Sequence, residues 1–294
     1  MLSSYMMNFR KKCLKLFVII IFIFLGSISN LTAQNDYGFG KITYLKAINV
    51  AGKQRMLSQK MSKAHLYLID NPNSSNASRD LLVYKIIFDK QLELLENNNE
   101  NEDIDLQIRK VISLWSDFKL NIEKTPSYFT ANKVIGENTD LLNEADKLVN
   151  LIVTEAQKSA FTYSKPRKAE LSEIINISGK QRMLSQRLGL YYYASKNKFD
   201  DHIISNSIME DIFIELDEAI SYLLVSNFNT SEIESSLAVA TVEFDKISKN
   251  KEKFFNHQFS DLEIYKITDN MTAAFNNVTI LYEELGDHLL NKEN

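Results

Sequence analysis

The sequence predicts an all-α protein made of two tandem four-helix bundles of up-down topology, related by internal duplication. Three observations predict this. Glycine (8) and proline (3) are scarce in a chain of 294 residues, whereas a β-sandwich or a doubly wound sheet needs many turns. Apolar residues recur at helical spacing along most of the chain. A segment of thirteen residues occurs twice.

The repeat runs from Ile48 to Lys60 (INVAGKQRMLSQK) and again from Ile175 to Arg187 (INISGKQRMLSQR), with ten of thirteen positions identical at an offset of 127. Chance does not give such a match, and the period is too long for a solenoid and fits a domain. A weaker echo falls late in each unit, Val134-Ile135 with Asn138 against Lys266-Ile267 with Asn270. The units are expected over residues 39–160 and 166–291.

Each unit reads as four helices. Ile104, Ile108, Val111, Trp115, Phe118 and Ile122 form one apolar stripe, the pattern of a bundle helix. Leu81, Phe88, Leu92 and Leu95 form the stripe before it, and Leu141, Ala145, Leu148, Ile152 and Ala156 the stripe after it. Polar breaks separate them at 71–76, 97–99 and 124–127, and the second unit breaks near 197–201, 227–231 and 256–260. Short connections between long amphipathic helices make antiparallel neighbours. Pro166 marks the junction. It ends one helix and lets the second unit fold back, or it kinks a continuous helix that stacks the units end to end.

The first 33 residues have the order of an export signal. Arg10, Lys11, Lys12 and Lys15 precede an apolar run from Leu16 to Leu25, and Leu31-Thr32-Ala33 supplies a small-residue cleavage site before Gln34. Periplasmic or secreted localisation follows as an expectation, with no membrane span after cleavage. The one cysteine, Cys13, lies inside this signal, so the mature chain has no disulfide, thiolate metal site or cysteine nucleophile. The net charge of −4 includes the four cations of the signal. The mature part is therefore more acidic still, a poor footprint for nucleic acid or anionic lipid.

The repeated segment carries the candidate site. Read as a helix, Val50, Leu57, Met61, Ala64 and Leu68 form a core stripe with Gln54 its polar member. Beside it run Ile48, Ala51, Arg55, Ser58 and Ser62. The neighbours of Arg55 on that stripe are small, as are Ser178, Ser185 and Gly189 around Arg182, so another helix can approach closely at each arginine. No acidic residue lies between Gly38 and Ile69. A desolvated Arg55 must therefore find its acceptor on another helix, another chain or a ligand. Two readings follow from the residues. Either both arginines pair with carboxylates of other helices, or their guanidinium forks hold a planar oxyanion. Gly52 and Gly179 each cost about 1 kcal/mol of helix propensity, and their presence in both copies predicts close backbone approach.

With its asparagine, glycine and arginine at these spacings, the segment resembles the first-helix signature of the PilJ-type domain. That is the N-terminal sensing domain of type IV pili methyl-accepting chemotaxis transducers. It is also similar to the sensor domain of NarX-type nitrate/nitrite sensor kinases. The resemblance implies a four-helix bundle in which the signature arginines of two paired subunits grip nitrate or nitrite. Carried over, the ligand-binding residues are Arg55 and Arg182, with Asn49, Gly52, Asn176 and Gly179 around them. The pair would come from a pseudo-dimer within one chain or from a homodimer. Transducers of this kind continue into a membrane helix and signalling modules. A chain ending at Asn294 is expected to report to a membrane-bound signalling partner.

The expectation is a sensory or accessory binding protein and not an enzyme, with no cofactor and no metal. The other reading is a structural or interaction module that has lost its ligand. His65, His202, His257 and His288 show no zinc-type spacing and read as surface or helix-end residues. No phosphate-binding loop, dinucleotide fingerprint or serine elbow occurs. Tyr191-Tyr192-Tyr193 reads as packing, and the acidic clusters at 100–103 and 200–201 read as solvated helix starts.

Overall fold

The computed structural model describes residues 38–162, 166–199 and 202–292. The export signal, Ser164-Lys165 of the junction and the acidic pair at 200–201 lie outside them. Nine helices occur among the described residues. The first half has α1 (Tyr44–Asp70), α2 (Ser75–Asn98), α3 (Glu102–Ile122) and α4 (Tyr128–Thr162). The second has α5 (Pro166–Lys196), α6 (His202–Leu224), α7 (Ser231–Ser248), the short α8 (Lys251–Phe255) and α9 (Asp261–Lys292). The all-α prediction holds.

Local chemistry sets the helix ends. Thr43 caps α1 by accepting from Lys46 N at 3.1 Å, and Ser74 caps α2 by accepting from Ala77 N. Asn101 accepts from the amides of Asp103 and Ile104. Glu102, Asp103 and Asp105 then fill the first turn of α3, where negative charge suits the helix dipole. The predicted stripe of α3 is buried along its whole length, from Ile104 to Ile122.

Two elements depart from the sequence reading. A two-stranded antiparallel hairpin, β1 (Gly38–Phe39) and β2 (Ile42–Thr43), precedes α1. Gly40 turns it at φ +60°, and a Cβ there would lie 2.4 Å from the Asn98 carbonyl oxygen, so only glycine fits. The second half also carries α8, a single extra turn and more between α7 and α9.

The halves share one packing plan. In the first, α1 packs against α2 and α4, and α3 packs on α4. In the second, α5 packs against α6 and α9, and α7 packs on α9. The most extensive helix–helix contact joins the halves, α1 against α5. These two helices run parallel and in register. Near their C-terminal ends Asn197 donates to Asp70 at 2.7 Å, at the same offset of 127 as the repeat. Further up, Arg187 reaches Gln59 at 3.2 Å. The chain thus folds back at the junction, and the end-to-end alternative, which parts the arginines, is not the arrangement found. With α2, α4, α5 and α9 around it, α1 is buried on nearly every face from Leu45 to Leu68.

Candidate functional site

The α1–α5 seam brings the two arginines together. A Cβ on Gly52 would lie 3.2 Å from Arg182 Nη2 and 3.4 Å from Arg55 Nη2. Both guanidiniums thus converge on one backbone position that only hydrogen occupies. On the other helix, a Cβ at Gly179 would lie 3.0 Å from Arg182 Nη2. The close approach predicted for both glycines is therefore an approach of guanidinium to backbone.

Each arginine reaches across the seam to the asparagine of the other copy. Arg55 Nη2 donates to Asn176 Oδ1 at 2.9 Å, and Arg182 Nη1 donates to Asn49 Oδ1 at 2.7 Å. Helical side chains tilt toward the N-terminus, which carries each guanidinium back over the turn that holds the partner asparagine. All six residues singled out in sequence, Asn49, Gly52, Arg55, Asn176, Gly179 and Arg182, meet at this point.

The remaining contacts break the symmetry. Arg55, 1% exposed, donates through Nη1 to Asp146 Oδ1 of α4 at 2.5 Å. Arg182, fully buried, has an amide at the corresponding place, donating to Asn276 Oδ1 of α9 at 3.1 Å. Its other bonds go to backbone carbonyls, from Nη2 to Asn49 O and from Nε to Gly179 O, each 3.4 Å long. The first reading, a carboxylate for each arginine, thus describes Arg55 and not Arg182. A carboxylate on the Arg182 side, Glu283 of α9, acts through Asn49, whose Nδ2 donates to it, and it also pairs with Lys46 at 3.0 Å.

Positive charge is in excess here. Burial and the neighbouring Arg55 pull Arg182 down to about 9, against the opposing pull of Glu283. Burial also lowers Arg55, with Asp146 opposing. Lys53 falls to about 8 through burial and through the charges of Arg182 and Lys46. An anion among these cations would oppose each shift.

A cleft of about 290 Å³ opens onto Arg55, lined among others by Asp146, Asn150, Asn176, Lys180 and Glu215. Its wall is a closed circuit of bonds. Arg55 donates to Asp146 and Asn176, Asn176 donates to Asn150 at 3.5 Å, and Asn150 donates to Asp146 Oδ2 at 3.1 Å. Lys180 pairs with Glu215 at the rim. A larger cleft of about 450 Å³ between α3 and α4 contains none of the motif residues.

Sequence reasoning missed several members of this neighbourhood. Asp146, Asn276 and Glu283 lie on the last long helix of each half, where the repeat is too faint to align them. A second buried polar cluster was also missed. Lys63 of α1, fully buried, donates to Asp269 Oδ1 of α9 at 2.7 Å and to Thr268 Oγ1 at 2.9 Å. Lys60 joins it on Asp269 at 3.0 Å, and Gln186 donates to the same oxygen at 3.0 Å. His65, expected at the surface or a helix end, is instead fully buried in α1, bonded to Thr130 Oγ1 at 2.9 Å. The helices packed around α1 leave it no solvent face. Among the described residues no group of three or more histidine, cysteine, aspartate or glutamate side chains could hold a metal ion. No described helix is long and apolar enough to cross a membrane.

Comparison with known proteins gives no match to a curated protein or to a solved structure. A family model does match, over residues 45–141. That span holds the first copy of the motif, α1 to α3 and the start of α4. The segment that places Asn49, Gly52 and Arg55 in the seam thus matches the PilJ model, that of the N-terminal domain of type IV pili methyl-accepting chemotaxis transducers, over residues 45–141.

Proposed function

We propose that this is an exported, non-catalytic sensory protein that takes a small oxyanion of the nitrate or nitrite kind between Arg55 and Arg182. It reports the bound state to a membrane-bound signalling partner. One observation carries the reading. Two buried guanidiniums converge on Gly52, and among the described residues a single carboxylate, Asp146, bonds directly to either of them. Two like charges in a desolvated seam repel, and a planar anion that accepts from both forks replaces repulsion with attraction. Because the arginines belong to different halves, the occupant would link α1 to α5 and couple binding to their spacing.

Calorimetric titration of the full chain with nitrate, nitrite and related anions tests this. Binding that is lost in Arg55→Lys and Arg182→Lys is the expected result, since lysine lacks the planar fork. A second reading rests on a different observation. Asp146, Asn49, Asn176 and Asn276 already occupy donors of the two guanidiniums, as suits an interaction module without a ligand. A folded sample that gives neither heat nor a thermal shift with any anion would select that module.

A further inference from the structure

The cleft and the asymmetry of the two arginines bear on how such a site would be controlled. Among the described residues Asp146 is the only charged partner bonded to Arg55. Arg55 itself is 1% exposed, whereas the Asp146 side chain is 41% exposed and stands on the cleft. An anion arriving from solvent by this route therefore meets Asp146 before it meets the guanidinium. Asn150 holds the second carboxylate oxygen of Asp146 at 3.1 Å. The carboxylate is thus held as a two-oxygen acceptor, the shape that a planar oxyanion would present. Glu173 and Glu215 also line the cleft, and Lys180 is already engaged by Glu215.

We propose that Asp146 is a resident competitor for the Arg55 guanidinium, and that it sets both the affinity and the charge selectivity of the anion site. The inference rests on the anion reading given above. In the empty state Asp146 neutralises Arg55 and holds it in place. An entering anion must displace that carboxylate while Asp146, Glu173 and Glu215 stay close. The penalty rises with the charge of the entrant, so a monovalent oxyanion is admitted and a divalent one such as sulfate is opposed. The second half provides the natural comparison. At Arg182 the corresponding partner is Asn276, a neutral amide that accepts the same kind of bond at 3.1 Å. An asparagine at 146 is therefore a substitution whose counterpart the fold already carries, and its Oδ1 can keep the bond to Arg55.

The experiment is calorimetry of the full chain with nitrate and, separately, with sulfate, on wild type, Asp146→Asn and Asn276→Asp. Asp146→Asn is expected to bind nitrate about tenfold more tightly or better, and to lose part of its preference over sulfate. Asn276→Asp, which puts a second carboxylate on the other guanidinium, is expected to bind nitrate about tenfold more weakly. Nitrate binding by Asp146→Asn alone, with none by wild type, would also support a competitor. Equal or weaker nitrate binding by Asp146→Asn, beside a wild type that binds, overturns the competitor and leaves the anion site standing. No binding by any of the three, with folding verified by circular dichroism, overturns both.

Discussion

Arg182 donates to Asn49 at 2.7 Å across the α1–α5 seam, and Arg55 returns the same bond to Asn176 at 2.9 Å. The exchange is what two copies of one segment make when their helices lie parallel and in register. It also gives each guanidinium a neutral acceptor and leaves the charges to be balanced from elsewhere. On one side Asp146 does so directly, and on the other Glu283 acts through Asn49.

Arg182 is therefore expected to lower the stability of the empty protein. Its guanidinium is fully buried beside Arg55 and bonds to no carboxylate among the described residues. Arg182→Gln removes the charge and retains an amide donor for Asn49. The urea unfolding midpoint should rise, by the equivalent of about 1 kcal/mol, while anion binding is lost. A fall of that size would mean that the hydrogen bonds of the guanidinium outweigh the cost of burying it.

Glycine substitutions separate the seam from ordinary helix. Gly136 of α4 has open space where a Cβ would stand. Gly136→Ala should stabilise by about 0.5–1 kcal/mol through the unfolded chain. At Gly52 the same methyl would press on two guanidinium nitrogens, at 3.2 and 3.4 Å. Gly52→Ala should lose that gain, destabilise by about 1 kcal/mol and part the arginines. Thermal melts of the two variants check the contrast, and equal stabilisation by both would show that the seam has slack at Gly52.

Much of this site was legible in the sequence because duplication marks it. The repeat identifies both arginines, and the small residues beside them and the retained glycines point to a close helix seam. The stripes of α2, α3 and α4 were legible because each of these helices keeps a solvent face, so polar and apolar residues alternate with the turn. For α1 the same logic fails. A helix enclosed by four others has no amphipathic contrast, so nothing in the spacing of Lys60, Lys63 and His65 announces that they are buried. Asp146 and Asn276 were hidden for another reason. They do the same task at different distances from their repeats, and no shared motif surrounds them.

His65 should make stability fall as the solution is acidified. Burial lowers its pKa from 6.5 to about 4, partly offset by a hydrogen bond involving the Ile122 backbone. Between these values the unfolded chain binds a proton that the native imidazole refuses, so native stability drops as pH falls through that window. The full effect is on the order of 3 kcal/mol. Asp287 works in the opposite sense. Burial and Glu283 raise it from 3.8 to about 6, so its native form holds a proton that the unfolded chain releases, and stability rises as pH falls through that window. Subtracting the urea stability of His65→Gln from that of wild type isolates the histidine. The difference should shrink as the pH is lowered from 6.5 to 4, and a constant difference would exclude a neutral, buried His65.

The last prediction concerns what fastens the two halves away from the arginines. Asp269 of α9 accepts from Lys63 at 2.7 Å, from Lys60 at 3.0 Å and from Gln186 at 3.0 Å. It thereby ties α1 of the first half to α5 and α9 of the second. Burial alone would raise its pKa, but Lys63 and Lys60 prevail and hold it well below the ordinary carboxylate range. Lys63 has the opposite balance. Burial pulls it down to about 8 even with Asp269 beside it, and its ammonium also lies 4.1 Å from the centre of the Tyr265 ring. Removing the carboxylate leaves this ammonium with no counter-ion at hydrogen-bond distance among the described residues. Lys60 keeps Asp80, at 3.6 Å. Asp269→Asn should therefore cost about 3–5 kcal/mol of unfolding free energy. Lys63→Met removes the buried charge together with its need for a partner, and should cost much less. Combined with Lys63→Met, Asp269→Asn should lose most of its effect, a coupling of about 1.5–3 kcal/mol in a double-mutant cycle. Urea titrations of the four proteins measure it. Additive effects would show that Asp269 acts mainly through Lys60 and Gln186, and that Lys63 is held by Thr268, the Tyr265 carbonyl and the Tyr265 ring.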